Sequence, residues 1–277
     1  MNILVIEASG AQAAIAALEI GRALSDGSFS AQVRVVWSSN DVRALSRELV
    51  IRLAQTMQSA GWERADVDAL AVGLGPGSWT SLRVVLATGK TLAQARGWRL
   101  CGVPSFDAFA RAACRNFAQS STRLNAQNVT LVVASRSRAD ELYSKIFRVE
   151  NFASPNQKWT VARAENVGTA EQLRAEIADE ALVLLTGEAA RDILETFSDK
   201  GQNGFASQSF ALQKGAFFQT VDVAVEEVAL ESGLLAAARL ANNQSDDALS
   251  LQPLYVALSA AERNLAQRSL AQSELAQ

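Results

Sequence analysis

From Ala71 to Arg83 the chain reads Ala-Val-Gly-Leu-Gly-Pro-Gly-Ser-Trp-Thr-Ser-Leu-Arg, an aliphatic run that breaks at Gly75-Pro76-Gly77 and resumes with helical character. A buried strand turned this sharply into a helix commits the region to alternating β and α layers. Free N–H groups and the positive end of the following helix point into such a turn, so Gly75, Pro76, Gly77, Ser78, Thr80 and Arg83 form a candidate anion cradle. The same residues equally describe a tight strand-to-helix turn with Ser78 or Thr80 as cap. Two familiar phosphate motifs are excluded. A dinucleotide fingerprint needs glycine where Ser78 stands, and Gly89-Lys90-Thr91 has Val84 in place of the upstream P-loop glycine.

The surrounding order of elements is α/β throughout. Strands are expected at Ile3–Ile6, Ala13–Ile20 and Val33–Trp37, with a turn at Asp26-Gly27, and then a helix begun by Asn40 or Asp41 and ended near Gly61. Strand Asp68–Leu74, helix Thr80–Arg96 closed by Gly97, and strand Leu100–Val103 follow. From Pro104 the pattern begins again: helix Ser105–Phe117, a polar loop over Gln119–Asn128, strands Val129–Ala134, Leu142–Val149 and Trp159–Ala164, helix Thr169–Ile177, strand Ala181–Leu185, and helices Glu188–Phe197 and Val223–Ala241. Leu251–Tyr255 is a last extended piece. After Ser259, Leu-Ala-Gln recurs at Leu265, Leu270 and Leu275 with a period matching neither helix nor strand, which describes a tail outside the core.

What chemistry this frame can carry is limited first by its lack of histidine in 277 residues. That removes Ser-His-Asp and Cys-His nucleophile pairs, HExxH zinc sites and His-held iron, while carboxylate-bound Mg²⁺ and Asp/Glu acid–base pairs stay open. Cys101 and Cys114 are too few and too far apart for a thiolate zinc site or a CxxC pair, and read as buried small hydrophobes. A net charge of −3 leaves no basic footprint for autonomous RNA or DNA binding. The opening Met1–Glu7 meets an acid at once and reads as a strand rather than a signal peptide, and no apolar run approaches the ~20 residues of a membrane span. A cytoplasmic protein is expected.

At this point the sequence resembles a known family. Val67–Arg83 followed by Gly102-Val103-Pro104-Ser105 is similar to the GPGSFTGLR signature and later GVSSL-type strand end of the bacterial TsaB (YeaZ) proteins. Ile3–Ile6 with Glu7-Ala8-Ser9 resembles their opening ILAIDTS, Glu141-Leu142-Tyr143 their GEVY element, and Leu251–Tyr255 their late P-x-Y strand. The resemblance implies tandem ribonuclease-H-like lobes of the actin, Hsp70 and sugar-kinase (ASKHA) superfamily: a first lobe over 1–103, a second over 104–258 and a tail over 259–277, with helix 223–241 free to pack back on the first. It further implies a non-catalytic subunit in threonylcarbamoyladenosine formation beside the tRNA anticodon. The implied partners are a TsaD-type transferase, which holds metal with an HxxxH motif that this chain lacks, and a TsaE-type ATPase, with a homodimer as a second assembly and tRNA reached only indirectly. No cofactor, metal or catalytic residue is assigned to the chain itself.

Three positions depart from the family pattern: Glu7 replaces an Asp, Ser81 a glycine, and Ala134 an Asp two residues before Arg136. Glu7 is expected as a solvated strand-end acid, and Arg136 and Arg138 as surface charge. The contacts between family members are placed by the resemblance on the first-lobe helices. The expected partner face there comprises Leu45, Leu49, Val50, Ile51, Leu82, Val84, Val85, Leu86 and Gly89, because both helices are apolar on more than one side. Two other readings stay open. One is a phosphotransferase or acyltransferase of the same fold, holding Mg²⁺-nucleotide with Glu7 and Asp140 or Glu141; the other is a homodimeric binding protein.

Overall fold

The structure is a computed structural model and describes residues 1–23, 28–119, 127–138, 140–152, 154, 157–197, 209–211 and 217–256. The turn expected at Asp26-Gly27, most of the polar loop after Gln119 and the Leu-Ala-Gln tail lie outside the described residues. Strands β1 (Asn2–Glu7), β2 (Ala13–Ala23) and β3 (Phe29–Ser39) are followed by α1 (Val42–Ser59), β4 (Ala69–Gly73), α2 (Trp79–Arg96), β5 (Arg99–Val103) and α3 (Ser105–Gln119). The five strands form one sheet in the order β3-β2-β1-β4-β5, antiparallel across β1–β2–β3 and parallel across β1–β4–β5.

The second half repeats this plan. Strands β6 (Asn128–Arg136), β7 (Glu141–Glu150) and β8 (Lys158–Thr169) lead into α4 (Ala170–Glu176), β9 (Leu182–Thr186), α5 (Ala190–Phe197), β10 (Ser209–Ala211), β11 (Phe217–Thr220) and α6 (Val225–Ala241). The sheet order is β10-β11-β9-β6-β7-β8, with β6 antiparallel to β7 and parallel to β9, as β1 is to β2 and β4. Strand β11 pairs parallel with β9 and takes the place that β5 holds in the first sheet. The two halves thus share one α/β plan, two mixed sheets with helices in tandem, as the resemblance implies.

Alternation along the first-sheet strands decides what each face buries. Leu4, Ile6, Leu70 and Val72 pack with Leu45 and Leu49 of α1 and Val85 and Leu86 of α2. On the other face Ile3, Val5, Leu18 and Ala71 pack with Ala229, Ala236 and Leu240 of α6. That close approach needs a small residue on α6: a Cβ at Gly233 would lie 2.2 Å from Leu18 Cδ1. In the second lobe α3 lies on β6, and Lys145 of β7 ties it to the sheet by donating to Asp107 of α3 at 2.5 Å and to Glu165 of β8 at 2.9 Å.

Two features differ from the sequence expectation. Strands β10 and β11 have no counterpart in the sequence expectation: three and four residues carry too little pattern, and β11 rests on pairing with β9, which buries Phe218. Residues 246–256, expected with the second lobe, return to the first. Asp246 bridges Leu100, Leu254 N–H donates to the Leu74 carbonyl at 2.9 Å, and Lys90 Nζ donates to the Leu251 carbonyl at 2.9 Å. Among the described residues no helix is long and apolar enough to cross a membrane.

Candidate functional site

The turn after β4, the end of β1 and the start of α3 converge on one buried carboxylate. Glu7, expected in solvent, is 1% exposed. Its Oε1 accepts the Ser9 N–H at 2.9 Å, and Ser105 Oγ lies 3.1 and 3.0 Å from its two oxygens. Burial pushes its pKa up, against the opposing pull of the Ser9 and Ser105 donors. The expectation fails because the groups that enclose Glu7 come from distant segments, Gly73 on β4 and Ser105 on α3.

The Gly-Pro-Gly turn is shaped by close approach of backbone to backbone. Gly75 has φ +90° and its N–H faces Ser105 Oγ at 3.2 Å, while Ser105 N–H donates to the Gly75 carbonyl at 3.0 Å. A Cβ at Gly77 would fall 1.7 Å from the Ser9 carbonyl oxygen, which accepts the Ser78 N–H at 3.2 Å. Two amides that could face an anion therefore serve Ser105 and Ser9. Pro76 is buried in the turn. Ser78 is the N-cap of α2 without a side-chain capping bond; its Oγ instead accepts from Ser81 Oγ at 3.1 Å.

Thr80 and Arg83 are exposed in the first turns of α2. The Arg83 guanidinium stacks 4.5 Å over the Trp79 ring, and Trp79 stacks on Tyr255 with centroids 4.1 Å apart. These residues thus clamp the returning 246–256 segment, a role that only the tertiary structure displays. Beside the turn a cavity of about 1070 Å³ opens between the lobes, lined among others by Ser9, Asn40, Arg43, Arg83, Arg136 and Arg138. A deeper one of about 430 Å³ reaches Glu7, Phe106 and Ala134. Arg136 and Arg138 are exposed, as are Asp140 and Glu141, whereas Ala134 is buried. Sequence reasoning missed Glu188, which reaches across this cleft; its signal was a glycine and an acid directly after a buried strand.

The expected partner face divides sharply. Leu45, Leu49, Leu82, Val85, Leu86 and Gly89 are buried within the chain, so the first-lobe core occupies them and they present no partner surface. A Cβ at Gly89 would stand 2.8 Å from Val72 Cγ1, so this small residue serves helix-to-sheet packing rather than approach of a second protein. Val84 is half-buried against the same core. Val50 and Ile51, at 60% and 59% exposure, remain outward, beside an apolar groove of about 670 Å³ lined by Leu53, Met57, Trp62, Leu92 and Trp98. Cys101 and Cys114 are buried free thiols, and burial pushes them up to about 11 and about 12.

Comparison with known proteins agrees with this architecture. YeaZ from Pseudomonas aeruginosa superposes with a TM-score of 0.61 at 20% identity, over 92% of this chain and 99% of its own. A structure of an uncharacterized protein with similarity to peptidase YEAZ from Pseudomonas aeruginosa gives the same values. The resemblance to YeaZ read from the motifs is therefore met in the fold. A protein of Solidesulfovibrio magneticus (strain ATCC 700980 / DSM 13731 / RS-1) described as tRNA N6-adenosine threonylcarbamoyltransferase is 38% identical over 118 residues. The match takes in 41% of this chain and 32% of that curated relative, about a third of its length. The model of the family described as TsaD, tRNA N6-adenosine threonylcarbamoyltransferase, matches residues 39–267, and the chain belongs to that family.

Proposed function

We propose that this chain is a non-catalytic subunit in the formation of threonylcarbamoyladenosine next to the anticodon of tRNA, working as a heterodimer with a TsaD-type transferase in the cytoplasm. A TsaE-type ATPase acts in the same complex, and tRNA is reached through the partner. The observation that carries this reading is the enclosure of Glu7. The acid at the end of the central first-lobe strand, where a metal ion would require a free hard oxygen, has both oxygens against Ser105 and one on the Ser9 amide. Ala134 offers no carboxylate at the corresponding end of β6, and without histidine the chain cannot supply an HxxxH metal site. The net charge of −3 supports indirect rather than autonomous contact with tRNA.

The test is reconstitution. Purified chain, its TsaD-type homologue and the TsaE-type ATPase are combined with tRNA and threonylcarbamoyl adenylate, and the modified nucleoside is measured after digestion. Product is expected with homologue and chain together and not with the chain alone. Product from the chain alone, above a protein-free blank, overturns the reading, as does full activity of the homologue when the chain is omitted.

A further inference from the structure

Helices α1 and α2 both stop at a left-handed glycine that a tryptophan follows: Gly61 (φ +73°) with Trp62, and Gly97 (φ +70°) with Trp98. Both rings line the groove of about 670 Å³ at the C-terminal ends of the two helices. Its walls are fixed by hydrogen bonds. Trp62 N–H donates to the Met57 carbonyl at 2.9 Å, Trp98 N–H to the Ala93 carbonyl at 3.0 Å, and Trp98 Nε1 to the Arg64 carbonyl at 3.1 Å. The two backbone bonds also occupy carbonyls of the last helical turns, where bare oxygens would repel an anion. The floor includes Leu4 of β1, a fully buried residue, so the groove passes between the helices to the level of the sheet.

The rim is cationic. Arg64 and Arg96 are exposed, and among the described residues neither guanidinium has a hydrogen-bond or ion-pair partner. Glu63 is the one acid lining the groove; the nearby Asp66 and Asp68 carboxylates already accept the Glu63 and Asn2 N–H groups, each at 2.7 Å. A second copy of the chain seated here on a two-fold axis would set Arg64 and Arg96 against their own counterparts. Because α1 and α2 touch, a helix, about 10 Å across, cannot descend between them to Leu4, whereas an alkyl chain can.

We propose that this groove binds a free medium-chain carboxylate, with the alkyl chain running past Trp62 and Trp98 toward Leu4 and the carboxylate on Arg64 and Arg96. A largely apolar space of this size with a few charged groups at its mouth suits such a ligand. Burial of methylene groups supplies the affinity, and the guanidinium groups fix which end stays at the surface. The site belongs to the first lobe alone, away from the interlobe cleft. The proposal does not depend on the supporting role above, since it concerns the isolated chain.

Calorimetric titration of the full chain with hexanoate, octanoate and decanoate tests it. Affinity should rise about tenfold for each two methylenes added, the scale of their burial. Octanoate should bind about tenfold more tightly than 1-octanol, and the double variant Arg64→Gln, Arg96→Gln should remove that difference while leaving 1-octanol binding as in the parent. Ala54→Trp fills the groove from an exposed position on α1 and should abolish binding with the melting temperature unchanged; Gln58→Trp, exposed on the same wall, serves if the first variant does not fold. Sedimentation with and without octanoate should show the same species. The absence of saturable binding overturns the proposal, as do equal affinities of the parent for octanoate and 1-octanol, or parental binding in the filled-groove variant. A dimer that dissociates as octanoate is added assigns the groove to a second copy and overturns it as well.

Discussion

Glu7 fills the space that a side chain at position 73 would need: a Cβ built on Gly73 stands 2.4 Å from Glu7 Oε2 and 2.8 Å from Oε1. The neighbouring strands β1 and β4 pair in parallel, so the contact cannot be relieved by sliding one strand without breaking the register Ile6↔Val72.

Gly73→Ala is therefore expected to destabilise the fold by about 3 kcal/mol, at the upper end of ordinary overpacking. The shorter Glu7→Asp should restore part of that loss when combined with it, giving a coupling of about 1 kcal/mol or more in a double-mutant cycle. Denaturant unfolding of the four proteins measures it; strictly additive losses would show that the two residues do not compete for one space.

The Glu7 carboxyl also sets a pH dependence. Burial raises its folded pKa above the ordinary value of 4.5, with the Ser9 and Ser105 donors opposing. The sign follows from linkage: a carboxyl raised on folding contributes stability that is complete below the unfolded value and is lost as pH rises through the folded value. The parent should thus lose stability relative to Glu7→Gln as pH climbs above 4.5, the two being closest at the acid end. Melting temperatures of both proteins from about pH 4 to about pH 8 read this directly, and a difference that does not change with pH would assign no titration to Glu7 in that range.

Exposure separates stability from association on α1 and α2. Val85→Asp places a charge at a position 1% exposed and should cost several kcal/mol, about 3 or more, leaving little folded protein. Val50→Asp and Ile51→Asp, at exposed positions, should change stability by about 0.5 kcal/mol or less. A TsaD-type partner seated beside the Trp62–Trp98 groove would lose about tenfold or more in affinity for these two variants, the scale of a charge placed among apolar contacts. Unfolding curves together with partner titration decide it, and parental affinity in both variants removes α1 from the interface.

The Trp79–Tyr255 stack should govern how firmly residues 246–256 stay on the first lobe. Tyr255→Ala removes an aromatic contact and the hydroxyl that lies 3.4 Å from Arg83 Nε, an expected loss of about 1–2 kcal/mol. Its readout is faster proteolytic cleavage within that segment while the hydrogen exchange of β1 and β4 stays as in the parent. Unchanged cleavage would place the hold elsewhere, on Lys90 and the Leu254–Leu74 bond.

Local pattern alone determined much of this molecule. Apolar runs, helix periodicity and the Gly75-Pro76-Gly77 break specify β1, β4, α1, α2 and α3, and the repeated element order specifies two like lobes, because these signals lie within a few residues of one another. The GPGS motif with its neighbours likewise carried the family resemblance. What the tertiary structure decided depends on groups far apart in the chain. Glu7 read as a solvated acid because its partner Ser105 is 98 residues away and its space is granted by a glycine on β4. Strand β11 exists through β9, residues 246–256 through Leu74 and Lys90, and the outward faces of α1 and α2 through the sheet that covers their other sides. Periodicity shows that a helix is apolar, but which apolar residue meets the core is set by the rotation at which it docks, and that rotation is a property of the packed sheet beneath it.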